Sequence, residues 1–179
     1  MNIEQYTERM RGFVQSAQSK ALSDGHQQFT VEHILKALLD DDQGMATSLI
    51  SRAGADGSLA LNNTEQAISK FPKVEGSQGQ LYLSPDLAKI SERAEKVAKE
   101  SGDSYITVER FLLAIVIEKS TAAGKILAEA GLTAASLNKA IEEIRKGRTA
   151  DSAAAEDTFE ALSKYLRYCG FPVTRNIVP

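Results

Sequence analysis

The side chains best equipped for chemistry in this sequence are few, and their spacing does not suit it. His26 and His33 are the only histidines. With Glu32 they do not form His-Glu-x-x-His, the pattern that sets two imidazoles on one helical face to hold zinc beside a carboxylate base. No second carboxylate or thiol stands at ligand spacing. His26 therefore reads as a surface loop residue and His33 as a residue on a helix face. Asp40, Asp42 and Gly44 carry part of a calcium-loop pattern, but the spacing is wrong and no terminal glutamate ligand follows. The run Asp40-Asp41-Asp42 reads instead as a solvated helix end. Gly124-Lys125 lacks the upstream glycine and the following Ser or Thr of a phosphate loop. Cys169, the single cysteine, has no histidine at hand to activate it as a nucleophile. No grouping of Ser, His and Asp stands out. The chain reads as non-enzymatic, with neither a cofactor nor a metal expected.

Polar groups at helix starts are more informative. Thr7, Ser84 and Thr107 each stand where a hydroxyl can accept from free backbone amides, and Ser84 is followed by Pro85, a strong helix-start pair. Asp103 and Glu109 flank the third of these starts. Each of these residues can serve as a cap or complement to a helix N-terminus, or as a functional group left available at a helix end.

These starts belong to elements that occur twice. Thr30-Val31-Glu32-His33-Ile34-Leu35-Lys36-Ala37-Leu38-Leu39 returns as Thr107-Val108-Glu109-Arg110-Phe111-Leu112-Leu113-Ala114-Ile115-Val116, at an offset of 77 residues. At the same offset Ala17 matches Ala94, Ala21 matches Ala98, Gly25 matches Gly102, and Ala53-Gly54 matches Ala130-Gly131. After Gly54 the register slips by one residue, and Leu59 pairs with Leu137. The period is too long and the copies too few for a solenoid, so an internal pseudo-dimer is expected.

Within each copy the apolar residues recur at the 3.6-residue period of a helix. Met10, Phe13, Val14, Ala17 and Ala21 line the first helix, which starts near Thr7 and ends at Asp24-Gly25. A second is capped by Thr30, a third covers 45–53, and a fourth covers 59–71 before Pro72. The second copy repeats this from Ser84-Pro85, through the helix capped by Thr107, to segments at 122–130 and 133–146. The fold class expected is all-α: a pseudo-twofold duplication of a four-helix unit, about eight helices, with no convincing strand. Residues 73–80 form a polar connector with glycines. Residues 147–157 are small and polar and read as a flexible linker. A short helical pattern follows at 159–165. Residues 166–179 lose helical period and include Pro172 and Pro179.

Composition narrows the class further. A length of 179 residues allows one or two small domains; 42% hydrophobic and 25% charged residues are ordinary for a soluble protein. A net charge of −3 without a basic stripe argues against nucleic acid as a partner. A lone cysteine and the lack of a secretory signal point to the cytoplasm. No stretch approaches the roughly 20 apolar residues of a membrane span. Two equivalent helical faces meeting at a seam can leave a groove for extended or helical peptides, or can pack as core.

The repeated form Ala-Leu…Gly-His…Phe-Thr-Val-Glu-His-Ile-Leu-x-Ala-Leu-Leu…Ala-Gly resembles the double Clp N-terminal repeat of Clp/Hsp100 AAA+ proteins. The connector Phe71-Pro72-Lys73-Val74-Glu75-Gly76 and the segment Gly147-Arg148-Thr149-Ala150-Asp151-Ser152 are similar to those of the ClpB disaggregase branch. So is Glu156-Asp157-Thr158-Phe159-Glu160-Ala161-Leu162-Ser163-Lys164-Tyr165. The resemblance covers residues 1 to about 165. It implies a double-repeat domain at 1–146 (repeats about 1–72 and 80–146), a linker at 147–158, the start of an ATPase module at 159–165, and an atypical tail at 166–179. In that family the region is mounted on a hexameric ATPase ring and helps to engage unfolded or aggregated polypeptide. The family's functional polar positions map onto Thr7, Asp103 and Glu109. The candidate substrate-binding set is Thr7, Ser84, Leu87, Asp103, Tyr105, Glu109 and Arg110. Expected partners are unfolded or aggregated polypeptides, a full-length ClpB-type ring, or an adaptor protein of the kind that Clp repeats dock in the protease-linked branch. Because 166–179 departs from the family, a truncated or frameshifted product, or a foreign tail, is expected; sequencing across the codon for Tyr165 tests this.

Overall fold

The computed structural model describes residues 2–74 and 81–157. The expected helix at 159–165, the tail at 166–179 and most of the connector lie outside them. Among the described residues there are eight α-helices: α1 Glu8–Ser23, α2 Val31–Leu39, α3 Met45–Arg52, α4 Gly57–Ser69, α5 Pro85–Glu100, α6 Val108–Ile117, α7 Ala122–Glu129 and α8 Ala134–Arg145. They fall into two sets of four in the same order. This is the duplicated all-α architecture that the sequence implies.

Local chemistry sets the starts. The Thr7 hydroxyl accepts from the Met10 amide at 3.3 Å, Ser84 from Leu87 at 3.1 Å, and Thr107 from Arg110 at 3.3 Å. Each such cap is worth about 0.5–2 kcal/mol. α4 starts at Gly57, ahead of the expected position, because the Asp56 carboxylate accepts from both Ser58 and Leu59. α1 and α5 are followed by Gly25 and Gly102, both at φ 76°. That left-handed geometry turns the chain into the α2 and α6 starts and disfavours a side chain.

The expectation of no strand needs correction. Two short parallel strands, β1 Gln28–Phe29 and β2 Tyr82–Leu83, pair Phe29 with Leu83, and a single bridge joins Tyr6 to Ile106. Segments this short are set by tertiary contact and leave no alternating pattern. At the 77-residue offset the two pairings are the same pairing. The Thr7 amide donates to Ile106 O at 3.0 Å, and Ser84 donates to Phe29 O at 2.9 Å. Each bond runs from the residue before one repeat's first helix to the loop of the other repeat. The repeats exchange these lead-in residues.

The seam is filled. Met10, Leu35, Leu38 and Ile50 of the first repeat belong to one core cluster with Leu87, Ile90, Phe111 and Leu127 of the second. The Tyr6 ring packs on Phe111 across the seam, with centroids 6.1 Å apart. Burying each large apolar side chain contributes about 1.5–3 kcal/mol, so the two faces close on each other instead of leaving a groove between the repeats.

Residues 147–157 also depart from the flexible linker read from their composition. They lie back along the second repeat. Ala150 and Glu156 are 0% and 1% exposed. Small side chains, which suggested flexibility, here let the backbone approach the domain closely.

Candidate functional site

The helix starts of the second repeat converge on a buried charged cluster. Asp103 leaves the turn after Gly102. Its carboxylate accepts from Arg110 Nε at 2.8 Å and from Arg145 Nη1 at 2.6 Å. Arg145 reaches from the end of α8, donating Nε to Glu109 at 2.8 Å and Nη2 to the Thr107 hydroxyl at 3.0 Å. Asp103, Glu109, Arg110 and Arg145 are each at most 6% exposed. Burial works against the Asp103 charge, but the Ala150 amide and the two guanidiniums outweigh it and hold its carboxyl below the usual range.

Two guanidiniums are thus matched by two carboxylates, and a third acid enters the same space. Glu156 accepts from the Val108 amide at 2.8 Å and from the Thr7 hydroxyl. Burial, reinforced by the neighbouring Glu109 charge, pushes its carboxyl up to about 8. Val108 and Thr7 stand at the starts of α6 and α1, so one side chain joins two helix N-termini. The same segment supplies Ala153 O to the Glu8 amide at 2.8 Å. It supplies Ala150 O to the amides of Ser104 and Tyr105 at 3.0 and 3.2 Å. The Ala150 amide donates to Asp103 at 2.8 Å.

The structure brings Thr7, Asp103, Glu109 and Arg110 together around this cluster. It also gives each of them a partner inside the fold. Tyr105 is half-buried at the edge, where its amide meets Ala150. Ser84 caps α5 beside the first repeat, and Leu87 is fully buried in the core. Neither side chain joins the cluster. Arg145 and Glu156 are absent from the candidate set although they complete it. Arg145 carried a signal: it continues the buried stripe of Leu137, Ala140 and Ile141 at helical spacing, where an arginine needs a partner. Glu156, in a run of alanines, carried none.

At the equivalent place in the first repeat, His26, expected on a surface loop, is buried, and so is His33 on its face of α2. His26 Nδ1 lies 2.9 Å from His33 Nε2, and the Phe71 ring packs on both. Burial and the neighbouring His26 lower His33 to about 4, so the pair is neutral at pH 7. Among the described residues, no group of three or more His, Cys, Asp or Glu side chains could hold a metal ion.

The first repeat also carries an open groove. It has a volume of about 670 Å³ and runs along α1 and α2, floored by Phe13, Ala17, Ala37 and Ile68. Ion pairs line its rim: Arg9 to Asp41 at 3.3 Å, Lys20 to Asp24 at 2.7 Å and Lys36 to Asp40 at 2.7 Å. An apolar floor with a charged rim suits an apolar side chain on a polar backbone.

Two exchanged four-helix repeats around one core define a class, and comparison with known proteins identifies it. Residues 5–155 match the Clp repeat (R) N-terminal domain, and the chain belongs to that family. It is 59% identical over 167 residues to the chaperone protein ClpB of Rhizobium meliloti (strain 1021), covering 93% of this chain and 19% of that protein. The ClpB of Rickettsia prowazekii (strain Madrid E) is 35% identical over 168 residues, again 93% of this chain and 20% of the relative. The chain thus spans about a fifth of the curated relatives it matches, in the region that the Clp N-terminal family describes. Among solved structures, the Hsp104 N-terminal domain from Candida albicans has a TM-score of 0.72 at 21% identity, covering 84% of this chain and 97% of that one. The ClpV N-domain from Vibrio cholerae has a TM-score of 0.67 at 17% identity, covering 84% and 90%. At such identities these two establish the shared fold. No described helix is long and apolar enough to cross a membrane.

Proposed function

We propose that this chain is the non-catalytic, substrate-engaging module of a ClpB-type disaggregase in the cytoplasm, and that it binds exposed apolar segments of unfolded or aggregated proteins weakly and without ATP. The groove along α1 and α2 is the observation that carries this reading. Its apolar floor accepts side chains that a folded protein would hide, while its rim charges remain paired and hydrated. The small contact area and the entropy lost by a disordered ligand keep affinity low, which suits a module that must release its load to a ring. Of the candidate substrate-binding residues, Thr7 fixes the start of α1, which forms one side of the groove, while Ser84, Leu87, Asp103, Tyr105, Glu109 and Arg110 lie outside its lining.

Titration with a permanently unfolded protein tests this by NMR. Shifts are expected at Phe13, Ala17 and Ala37, and Phe13→Asp should weaken binding by about tenfold, the loss of roughly one buried apolar contact. No shifts along α1 and α2 at near-millimolar ligand would overturn it. The second reading is docking of a dedicated adaptor. A ClpV N-domain described in complex with a VipB peptide has a TM-score of 0.64 to this chain at 20% identity, so the fold can host a defined peptide. Tight binding to one partner, with indifference to unfolded chains, would favour that reading.

A further inference from the structure

We propose that the first repeat holds an anion site of its own, in the pocket between the loop before α2 and the chain leaving α4, and that its ligand is a carboxylate carried on an apolar body. The pocket has a volume of about 310 Å³ and shares none of its lining residues with the groove along α1 and α2. Phe71, Pro72, Val74 and Tyr82 supply an apolar wall, and His26, Gln27 and Gln28 bring polar groups to it. An apolar enclosure with a few convergent polar groups is the usual form of a small-ligand site.

The hydrogen bonds fix where the imidazole protons lie. The Thr30 amide can only donate, so the His33 Nδ1 that it meets at 3.2 Å is an acceptor. Both imidazoles are neutral at pH 7 and carry one N–H each. The His33 proton is therefore on Nε2, which donates to His26 Nδ1 at 2.9 Å. That puts the His26 proton on Nε2, where it is buried with no hydrogen-bond partner among the described residues. A buried donor in that state is destabilising until it meets an acceptor.

The second repeat shows what the neighbouring amides hold. At the offset of 77, Gln27 and Gln28 correspond to Ser104 and Tyr105, whose amides share the Ala150 carbonyl at 3.0 and 3.2 Å. In the first repeat the Gln27 carbonyl accepts from Tyr82 at 2.8 Å, and no bond from the Gln27 or Gln28 amide is present among the described residues. The third group differs in sense. Asp103 accepts from the Ala150 amide at 2.8 Å, whereas its counterpart His26 offers a proton. A backbone segment with one carbonyl and one amide suits the second repeat. A ligand with two oxygens suits the first. Of the charges that act on His26, Asp24 is paired with Lys20 at 2.7 Å, and Lys73 favours an anion.

Amide NMR titrations of the whole chain test this with four probes: N-acetyl-leucine, N-acetyl-leucinamide, and an acetylated Ala-Ala-Ala-Leu peptide with a free or an amidated end. A free acid should bind at least about tenfold more tightly than its amide, with shifts at the Gln27 and Gln28 amides and the His26 ring proton. His26→Gln keeps a donor and should keep the preference for acid. His26→Asp puts a carboxylate in the donor's place and should remove it. Gln28→Pro deletes an amide that makes no bond to β2, and should bring the acid down to the affinity of the amide. Equal affinity of the two acids assigns the ligand to free organic acids; binding of the peptide acid alone assigns it to chain ends. Acid and amide binding alike to wild type, or no shift at Gln27 and Gln28 with any probe at millimolar concentration, would overturn the proposal.

Discussion

Positions 26 and 33 correspond to 103 and 110 at the repeat offset of 77, and the two pairs brace the same turn with different chemistry. In the first repeat two neutral imidazoles meet under a phenylalanine ring. In the second, an aspartate meets two arginines. Both pairs lose stabilisation as pH falls, whereas Glu156 beside the second pair responds in the opposite sense. The folded state disfavours protonated His33, lowered to about 4, so its stabilising effect is full above the ordinary imidazole value and is lost as pH falls from about 6.5 toward 4. Thermal melting should drop across that interval, and His33→Gln should flatten the drop. Glu156, raised to about 8 from an ordinary 4.5, favours the docked segment fully below 4.5, and that contribution is lost as pH rises toward 8. Wild type and Glu156→Gln should therefore melt together at pH 5 and separate at alkaline pH, with wild type the less stable. Arg145→Met would strand Glu109 and part of the Asp103 charge in a buried site. A cost of about 3–5 kcal/mol is expected by chemical denaturation.

At the scale of elements, packing between neighbours imposes limits that no single helix shows. Gly124 in α7 is one case: a Cβ there would lie 2.4 Å from Glu118 O and 3.0 Å from Ile115 O. α7 touches the end of α6 through bare backbone, so Gly124→Ala must push the two apart. A loss of about 1–3 kcal/mol is expected from a denaturant titration. The helices themselves were legible in the sequence because capping hydroxyls, terminal glycines and apolar periodicity agree, as at Thr7, Ser84-Pro85 and Gly102. Short-range rules end where main-chain contacts begin. The two-residue strands have no pattern of their own, and the docking of 147–157 depends on backbone atoms that every sequence possesses. The candidate cluster was half legible for the same reason. Thr7, Asp103 and Glu109 were visible at helix ends, whereas Glu156 reaches them from about 50 to 150 positions away through a fold that must already exist.

For the molecule as a whole, the filled seam makes the repeats one cooperative unit. With Tyr6 against Phe111 and the core shared, calorimetry should show a single transition for both repeats, and a destabilising change such as Gly124→Ala should lower the melting of probes in either half. A melt in two steps would contradict the shared core. The crossed lead-in residues carry this further. Because the Thr7 amide bonds to Ile106 and the Ser84 amide to Phe29, the backbone of each half's opening residue is held by the other half. A polypeptide with only one such unit would be left with an unsatisfied loop edge and a free strand end, each complementary to the other. It could settle both by trading them with a second molecule. The tandem gene product is in this sense a dimer whose partners have been tethered, and its two halves can diverge, one toward imidazoles and the other toward ions, without ever having to find each other.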